Sequence, residues 1–138
     1  MREFTTEATL DQLDEVLAFV DEDLGKYSED EKAIIQIDIA VEEIFVNIAH
    51  YAYAPNTGTA KISLEIAGDA PTAKVTFEDG GVPYDPLSRP DPDVTLDVNH
   101  REIGGLGIYM VKQTMDELHY DYENGHNVLT LVKRFEAK

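Results

Sequence analysis

Apolar positions along the chain switch between two periods. Leu13, Val16, Leu17 and Val20 recur three and four residues apart, which predicts a helix from about Leu10 to Leu24 that stops at Gly25. Thr9-Leu10-Asp11-Gln12 reads as a capping box in front of it, and Ser28-Glu29-Asp30-Glu31 as a second one. The helix that follows extends to about Tyr53. Its Ile34, Ile37, Val41, Ile44, Phe45 and Ile48 fill more than one stripe, so it is expected at the centre of the fold. Pro55, Asn56 and Gly58 terminate it. The period then changes to two. Lys61–Ile66 and Lys74–Glu78 alternate apolar and polar residues around the turn Gly68-Asp69-Ala70-Pro71, which predicts a hairpin; Arg2–Glu7 suits a short strand.

From Gly80 to Ile103 little regular pattern remains, and prolines concentrate there. So long an irregular stretch inside a compact domain is uncommon and is often a functional lid, here spanning about residues 82–103. Gly104-Gly105-Leu106-Gly107 then opens a third helix, Ile108 to about Leu118. Tyr120–Tyr122 and Val128–Val132 read as strands around Asn124-Gly125, a strong hairpin signal. The order predicts an α+β fold: a two-layer sandwich of a mixed, mostly antiparallel sheet with helices on one face, rather than a doubly wound parallel sheet.

Composition narrows the function classes. The 138 residues fit one domain, 1–138, large enough to bury a core. No cysteine is present, so neither a disulfide scaffold nor a thiolate metal site is expected, and a reducing, cytoplasmic compartment fits. Met1-Arg2-Glu3-Phe4 does not begin a signal peptide, and charge interrupts every apolar stretch that could span a bilayer. The formal net charge is −17, which disfavours nucleic-acid and membrane partners. Such a chain can hold an anionic ligand only by local means, with a cation or with aimed backbone amides.

Three segments could carry chemistry. Glu43 and Asn47, four residues apart, share a helix face among apolar neighbours. Asn47 offers a carbonyl oxygen to a hard cation, and Glu43 could take a proton from a hydroxyl; a polar surface stripe explains the pair as well. Asp79-Gly80-Gly81 sits at a strand end. It reads either as a tight turn or as an acceptor for an exocyclic amine with a glycine that admits a flat ring. Gly104, Gly105, Leu106 and Gly107 precede a helix, where successive amides cradle an anion, although a flexible lead-in to the helix gives the same residues. No Lys-Ser/Thr follows, which excludes a Walker loop, and no strand leads directly in, which excludes a dinucleotide fingerprint. His100, His119 and His126 lack metal-ligand spacing, Ser63 and Ser88 lack a nearby base, and Arg101 and Lys112 flank the glycine loop.

In this order, Glu43-x-x-x-Asn47, Asp79-x-Gly81-x-Pro83 and Gly104-Gly105-x-Gly107 resemble the N, G1 and G2 boxes of the GHKL ATPases. Asp79-Gly80-Gly81-Val82-Pro83-Tyr84-Asp85-Pro86, Gly105-Leu106-Gly107-Ile108-Tyr109-Met110-Val111, Met115-Asp116-Glu117 and Asn127-Val128-Leu129-Thr130-Leu131-Val132-Lys133-Arg134 are similar to the anti-sigma-factor serine-kinase branch of that superfamily. The resemblance implies a Bergerat-type fold with ATP held between helices and lid. By it, Asn47 would hold Mg²⁺, Asp79 would bind the adenine amine beside Gly81, the glycines 104, 105 and 107 with Leu106 would wrap the phosphates, and Thr130 would assist Asp79. Glu43 would be the general base that activates a serine on a STAS-type antagonist protein. A sigma factor would be a second partner and a homodimer the assembly. The branch often has His where this chain has Tyr51, before Ala52-Tyr53. Two further readings remain: a nucleotide-gated protein-binding module without phosphotransfer, and an α+β interaction domain whose three motifs are structural.

Overall fold

The structure is a computed structural model, and it describes residues 1–53, 55–67, 71–88 and 106–136. Strand β1 (Arg2–Glu7) is followed by helices α1 (Leu13–Tyr27) and α2 (Glu31–Asn47) and by the hairpin β2 (Thr59–Ala67) and β3 (Thr72–Asp79). Helix α3 (Leu106–Thr114) and a second hairpin, β4 (Glu117–Glu123) and β5 (His126–Arg134), complete the order. The five strands form one sheet in the order β1-β2-β3-β5-β4. All four strand pairings are antiparallel, so the mostly antiparallel expectation holds, while the parallel pair that a mixed sheet would contain is absent among the described residues.

One face of the sheet is apolar, as period two requires. Ile62 and Leu64 of β2, Val75 and Phe77 of β3, and Leu129 and Leu131 of β5 are all buried. Helix α2 lies between α1 and α3 and contributes fully buried Ile37, Val41, Ile44 and Phe45, which explains why its apolar residues fill more than one stripe. At the second hairpin, Asn124 and Gly125 adopt φ of 52° and 81°, the pair of positive angles that a two-residue turn between twisted strands demands.

Several boundaries differ from the expectation, each for a local reason. Helix α1 starts as a 3-10 turn, Leu10–Gln12, and Thr9 makes no side-chain cap. It also continues beyond Gly25 to Tyr27, because Gly25 does not take the positive φ that would end it. The cap of α2 is Asp30, whose carboxylate accepts from the Ala33 amide at 3.1 Å. Ser28 is diverted, its hydroxyl donating to the Glu136 carbonyl at 2.6 Å and accepting from the Asp30 amide. Past Asn47 the α-helix widens into a π-helical turn, Ile48–Ala52. Helix α3 ends at Thr114 rather than Leu118. Its end is held by the Lys133 ammonium on the Thr114 carbonyl, and the Asp116 amide bonds Val132, which starts the next strand early. The start of the expected lid is packed down: Pro86 is buried and Leu87 rests on the core. Residues 89–105, with the rest of that lid and with Gly104 and Gly105, lie outside the described residues.

Candidate functional site

A small cleft, whose empty space with the solvent at its mouth is about 390 Å³, opens between the C-terminal half of α2 and the end of β3. Ile44, Ile48, Phe77 and Leu129 supply apolar walls, and Asn47, Asp79 and Asn127 supply polar groups. Among the described residues no lysine or arginine lines it. Asn47 and Asp79, read as parts of one pocket in the sequence, do meet at one cleft.

Helix α2 sets the first polar group. The Asn47 amide nitrogen donates to the Glu43 carbonyl one turn back, at 2.8 Å. That bond commits the donor end of the side chain and leaves its oxygen, which no described donor reaches, as the free ligand atom. A hard cation that keeps most of its waters and takes the rest of its shell from phosphates needs few protein ligands, so this arrangement fits Mg²⁺. Among the described residues no group of three or more acidic or histidine side chains could hold a metal by itself.

Glu43 lies where α2 meets α3. A Cβ on Gly107 would overlap the Glu43 carboxyl carbon and both its oxygens, so glycine is the residue that lets the first turn of α3 sit on this carboxylate. Burial, and secondarily the charge of Glu42, raise the Glu43 pKa above the usual carboxylate value. A carboxylate shifted in that direction is a better proton acceptor near neutral pH. The described part of α3 begins at Leu106, ahead of the expected Ile108, so Leu106 and Gly107 are helical rather than loop residues.

Strand β3 delivers Asp79 to the other end of the cleft, with the residue only 5% exposed. Its Oδ1 accepts from the Gly81 amide at 2.9 Å and from the Asn127 amide at 3.0 Å. Among the described residues both of these bonds fall on Oδ1, which leaves Oδ2 as the oxygen for a ligand. Gly81 has a packing reason of its own. A Cβ there would run into the Ala52 backbone, and the neighbouring Val82 amide bonds the Ala52 carbonyl at 2.8 Å. The π-helical turn that carries Ala52 thus holds the Asp79 turn against α2; such turns frequently mark functional sites.

Thr130 is not brought to this cleft. Its register partner is Thr76, the two hydroxyls are 3.5 Å apart, and both lie on the sheet face opposite Leu129 and Leu131. Asn127, three residues earlier and so on the inward face, is the register partner of Asp79 instead. Sequence reading missed it, although counting parity along β5 from Leu129 and Leu131 would have found it. It also missed Tyr84 and Tyr120, which line the same cleft. Tyr51, at the position where the resemblance suggests His, packs its ring 5.9 Å from that of Tyr84. Of the other residues considered, His119 is exposed beside Glu117, and His126 lies against Gly80 outside the cleft.

The cleft thus joins apolar walls to the Asn47 side chain at one end and the Asp79 carboxylate at the other, and the comparisons name the class. The model of the histidine kinase-like ATPase domain matches residues 6–133, and the chain belongs to that family. Among its relatives is the serine-protein kinase RsbW of Bacillus licheniformis, 29% identical over 74% of this chain and 65% of that protein. The serine-protein kinase RsbW of Bacillus cereus strain AH187 is 29% identical over 70% of this chain and 61% of that protein. The serine/threonine-protein kinase BtrW of Bordetella bronchiseptica is 26% identical over 70% and 67%. The chain spans less than two thirds of the length of the two RsbW proteins. Among the described residues no helix is long and apolar enough to cross a membrane.

Proposed function

We propose that this chain binds ATP with Mg²⁺ in the α2–β3 cleft and transfers the γ-phosphoryl group to a serine of a STAS-type antagonist protein, as a cytoplasmic regulator that also sequesters a sigma factor. The observation that carries the kinase reading is the Glu43 carboxylate, held against Gly107 at the start of α3 and one helical turn from Asn47. Asn47 and Asp79 would serve any ATP-binding module; a proton acceptor beside them makes transfer possible.

The roles follow from the groups present. Asp79 Oδ2 accepts from the adenine amine in the apolar part of the cleft. Asn47 would hold Mg²⁺ through its free oxygen, and a bound cation would supply the positive charge the phosphates need in a chain whose net charge is −17. Leu106 and Gly107 at the described start of α3 would face the phosphate chain with their amides, and the family resemblance gives Gly104 and Gly105 the same role. Glu43 takes the proton of the incoming serine hydroxyl as that oxygen bonds to the γ-phosphorus. The bond from phosphorus to the β–γ bridging oxygen breaks, and ADP leaves. The raised Glu43 pKa, caused first by burial, supports this role.

Incubation with STAS-type proteins and γ-labelled ATP tests the reading, and the expected product is labelled phosphoserine. Glu43→Gln is expected to bind ATP like the unaltered chain and to transfer at least about 10²-fold more slowly. Unlabelled serine on every partner that binds the chain contradicts the kinase reading. Partner binding and release that respond to ATP equally well in Glu43→Gln would favour the nucleotide-gated module instead.

A further inference from the structure

Asn127 is nearly fully buried, at 6% exposure, and its amide is saturated. Its nitrogen donates to Asp79 Oδ1 at 3.0 Å and to the Val82 carbonyl at 2.8 Å. Its oxygen accepts from the Tyr84 amide at 3.1 Å and from the Tyr120 hydroxyl. An asparagine side chain has two donors and two acceptor positions, and all four are used within the protein.

Three consequences follow. Asn127 has no hydrogen-bonding capacity left for a ligand. Together with the Gly81 amide it occupies Asp79 Oδ1, which fixes the carboxylate plane and leaves Oδ2 as the oxygen that can read a ligand. The same planar group also holds both residues that flank Pro83, where the chain leaves the Asp79 turn toward Pro86. A displacement of Val82–Tyr84 would break bonds to Asn127 and release the constraint on Asp79.

We propose that Asn127 is a positioning residue: it sets the Asp79 carboxylate for recognition of the base and couples that recognition to the placement of Val82–Tyr84. The proposal rests on the ATP reading of the cleft given above. It predicts control over which base is accepted, beyond a contribution to stability.

Inosine triphosphate carries an oxygen where ATP carries the exocyclic amine, so the ratio of the two affinities reports how well an acceptor-only carboxylate is aimed. Calorimetric titration of the 138-residue chain with each nucleotide and Mg²⁺ is expected to show at least about a tenfold preference for ATP, flat from pH 6 to 8.5. Asn127→Asp puts a second carboxylate about 3 Å from Asp79, and two such groups share one proton. When that proton is present it replaces the missing N–H, so the variant keeps the ATP preference at low pH and loses it as pH rises. Asn127→Thr and Asn127→Val provide a pair of equal shape: the threonine hydroxyl can still donate to Asp79, and the valine cannot. Threonine is therefore expected to hold the ratio at least threefold above valine. An unchanged ratio in folded Asn127→Asp and Asn127→Val, with ATP still bound, overturns the positioning role and leaves the ATP site standing. Equal weakening of both nucleotides at every pH does the same, because it marks a structural defect alone. If the unaltered chain binds neither nucleotide, the site reading fails and the role of Asn127 fails with it.

Discussion

Asp79 at the end of β3 and Asp38 in the middle of α2 each bury a carboxylate oxygen, and their surroundings are opposite. Asp79 receives two N–H donors on one oxygen, and its chief partner, Asn127, is itself saturated. Asp38 faces Asp21 across the α1–α2 seam, and the Oδ1 atoms of both are buried with no hydrogen-bond partner among the described residues. Two carboxylates in that position resist being ionised together. Burial first, then the Asp21 carboxylate, which accepts a hydrogen bond from the protonated Asp38 and repels its charged form, push the Asp38 pKa up to about 8. A single shared proton supplies the missing donor, and each cluster is then satisfied in its own way: one by fixed N–H groups, the other by a proton that comes and goes with pH. The same residue type can therefore read a ligand at one position and tune stability at another. The partners decide which.

Substituting asparagine at the two positions exposes the difference, and the larger effect belongs to the cleft. Asp79→Asn can keep its oxygen toward Gly81 and Asn127, which turns an N–H₂ toward the base in place of Oδ2. ATP affinity is expected to fall on the order of 100-fold while the melting temperature stays nearly constant, as read by calorimetry and thermal unfolding of one preparation. Next in size is Gly107→Ala. Its Cβ would overlap the Glu43 carboxyl group, so α3 or Glu43 must shift. Phosphotransfer should fall by at least about tenfold in a labelled-ATP assay, while stability changes by less than about 1 kcal/mol in denaturant unfolding, because the overlapped atoms are the free end of a flexible side chain.

Asp38→Asn is expected to act in the opposite direction to Asp79→Asn. The folded-state pKa of Asp38 lies above the usual 3.8, so its contribution to stability is full below about pH 4 and is lost as pH rises toward 8. An asparagine amide donates to Asp21 at every pH. The variant should lose this pH dependence and melt roughly 3–6 °C higher than the unaltered chain at pH 8, with ATP binding unchanged. A melting curve that still falls between pH 4 and 8 by the original amount would rule out the shared proton. The smallest effect is expected from Thr130→Val. Thr130 faces Thr76 on the sheet surface away from the cleft, so ATP affinity should change less than about twofold.

Much of this arrangement was legible in the sequence. The strand and helix order followed from the change of apolar period, and the Asn124-Gly125 turn from the two positive φ angles only such residues take readily. Asn47 and Asp79, grouped in the sequence because their order resembles a known set of motifs, line one cleft. What escaped had contacts distant in sequence. Ser28 looked like a helix cap, yet its hydroxyl is taken by the carbonyl of Glu136, at a separation of 108 residues. Thr130 came only from the family resemblance, and Val128-Leu129-Thr130-Leu131-Val132 is largely apolar on both faces, which hides the parity of β5 that places Asn127 inward. The Asp79–Asn127 pairing appears only once the register of β3 against β5 is known. Nor did any local pattern announce the π-helical turn at Ile48–Ala52, which exists to meet Gly81.

The proposed function requires the α2–β3 cleft to be a Mg²⁺-dependent ATP site read by Asp79. Isothermal titration of the chain with ATP, with and without Mg²⁺, tests it most directly when Asp79→Asn is run alongside. One ATP per chain is expected, bound more tightly with Mg²⁺ than without and lost in Asp79→Asn. No heat and no thermal shift under saturating ATP and Mg²⁺, or equal binding by Asp79→Asn, would contradict it.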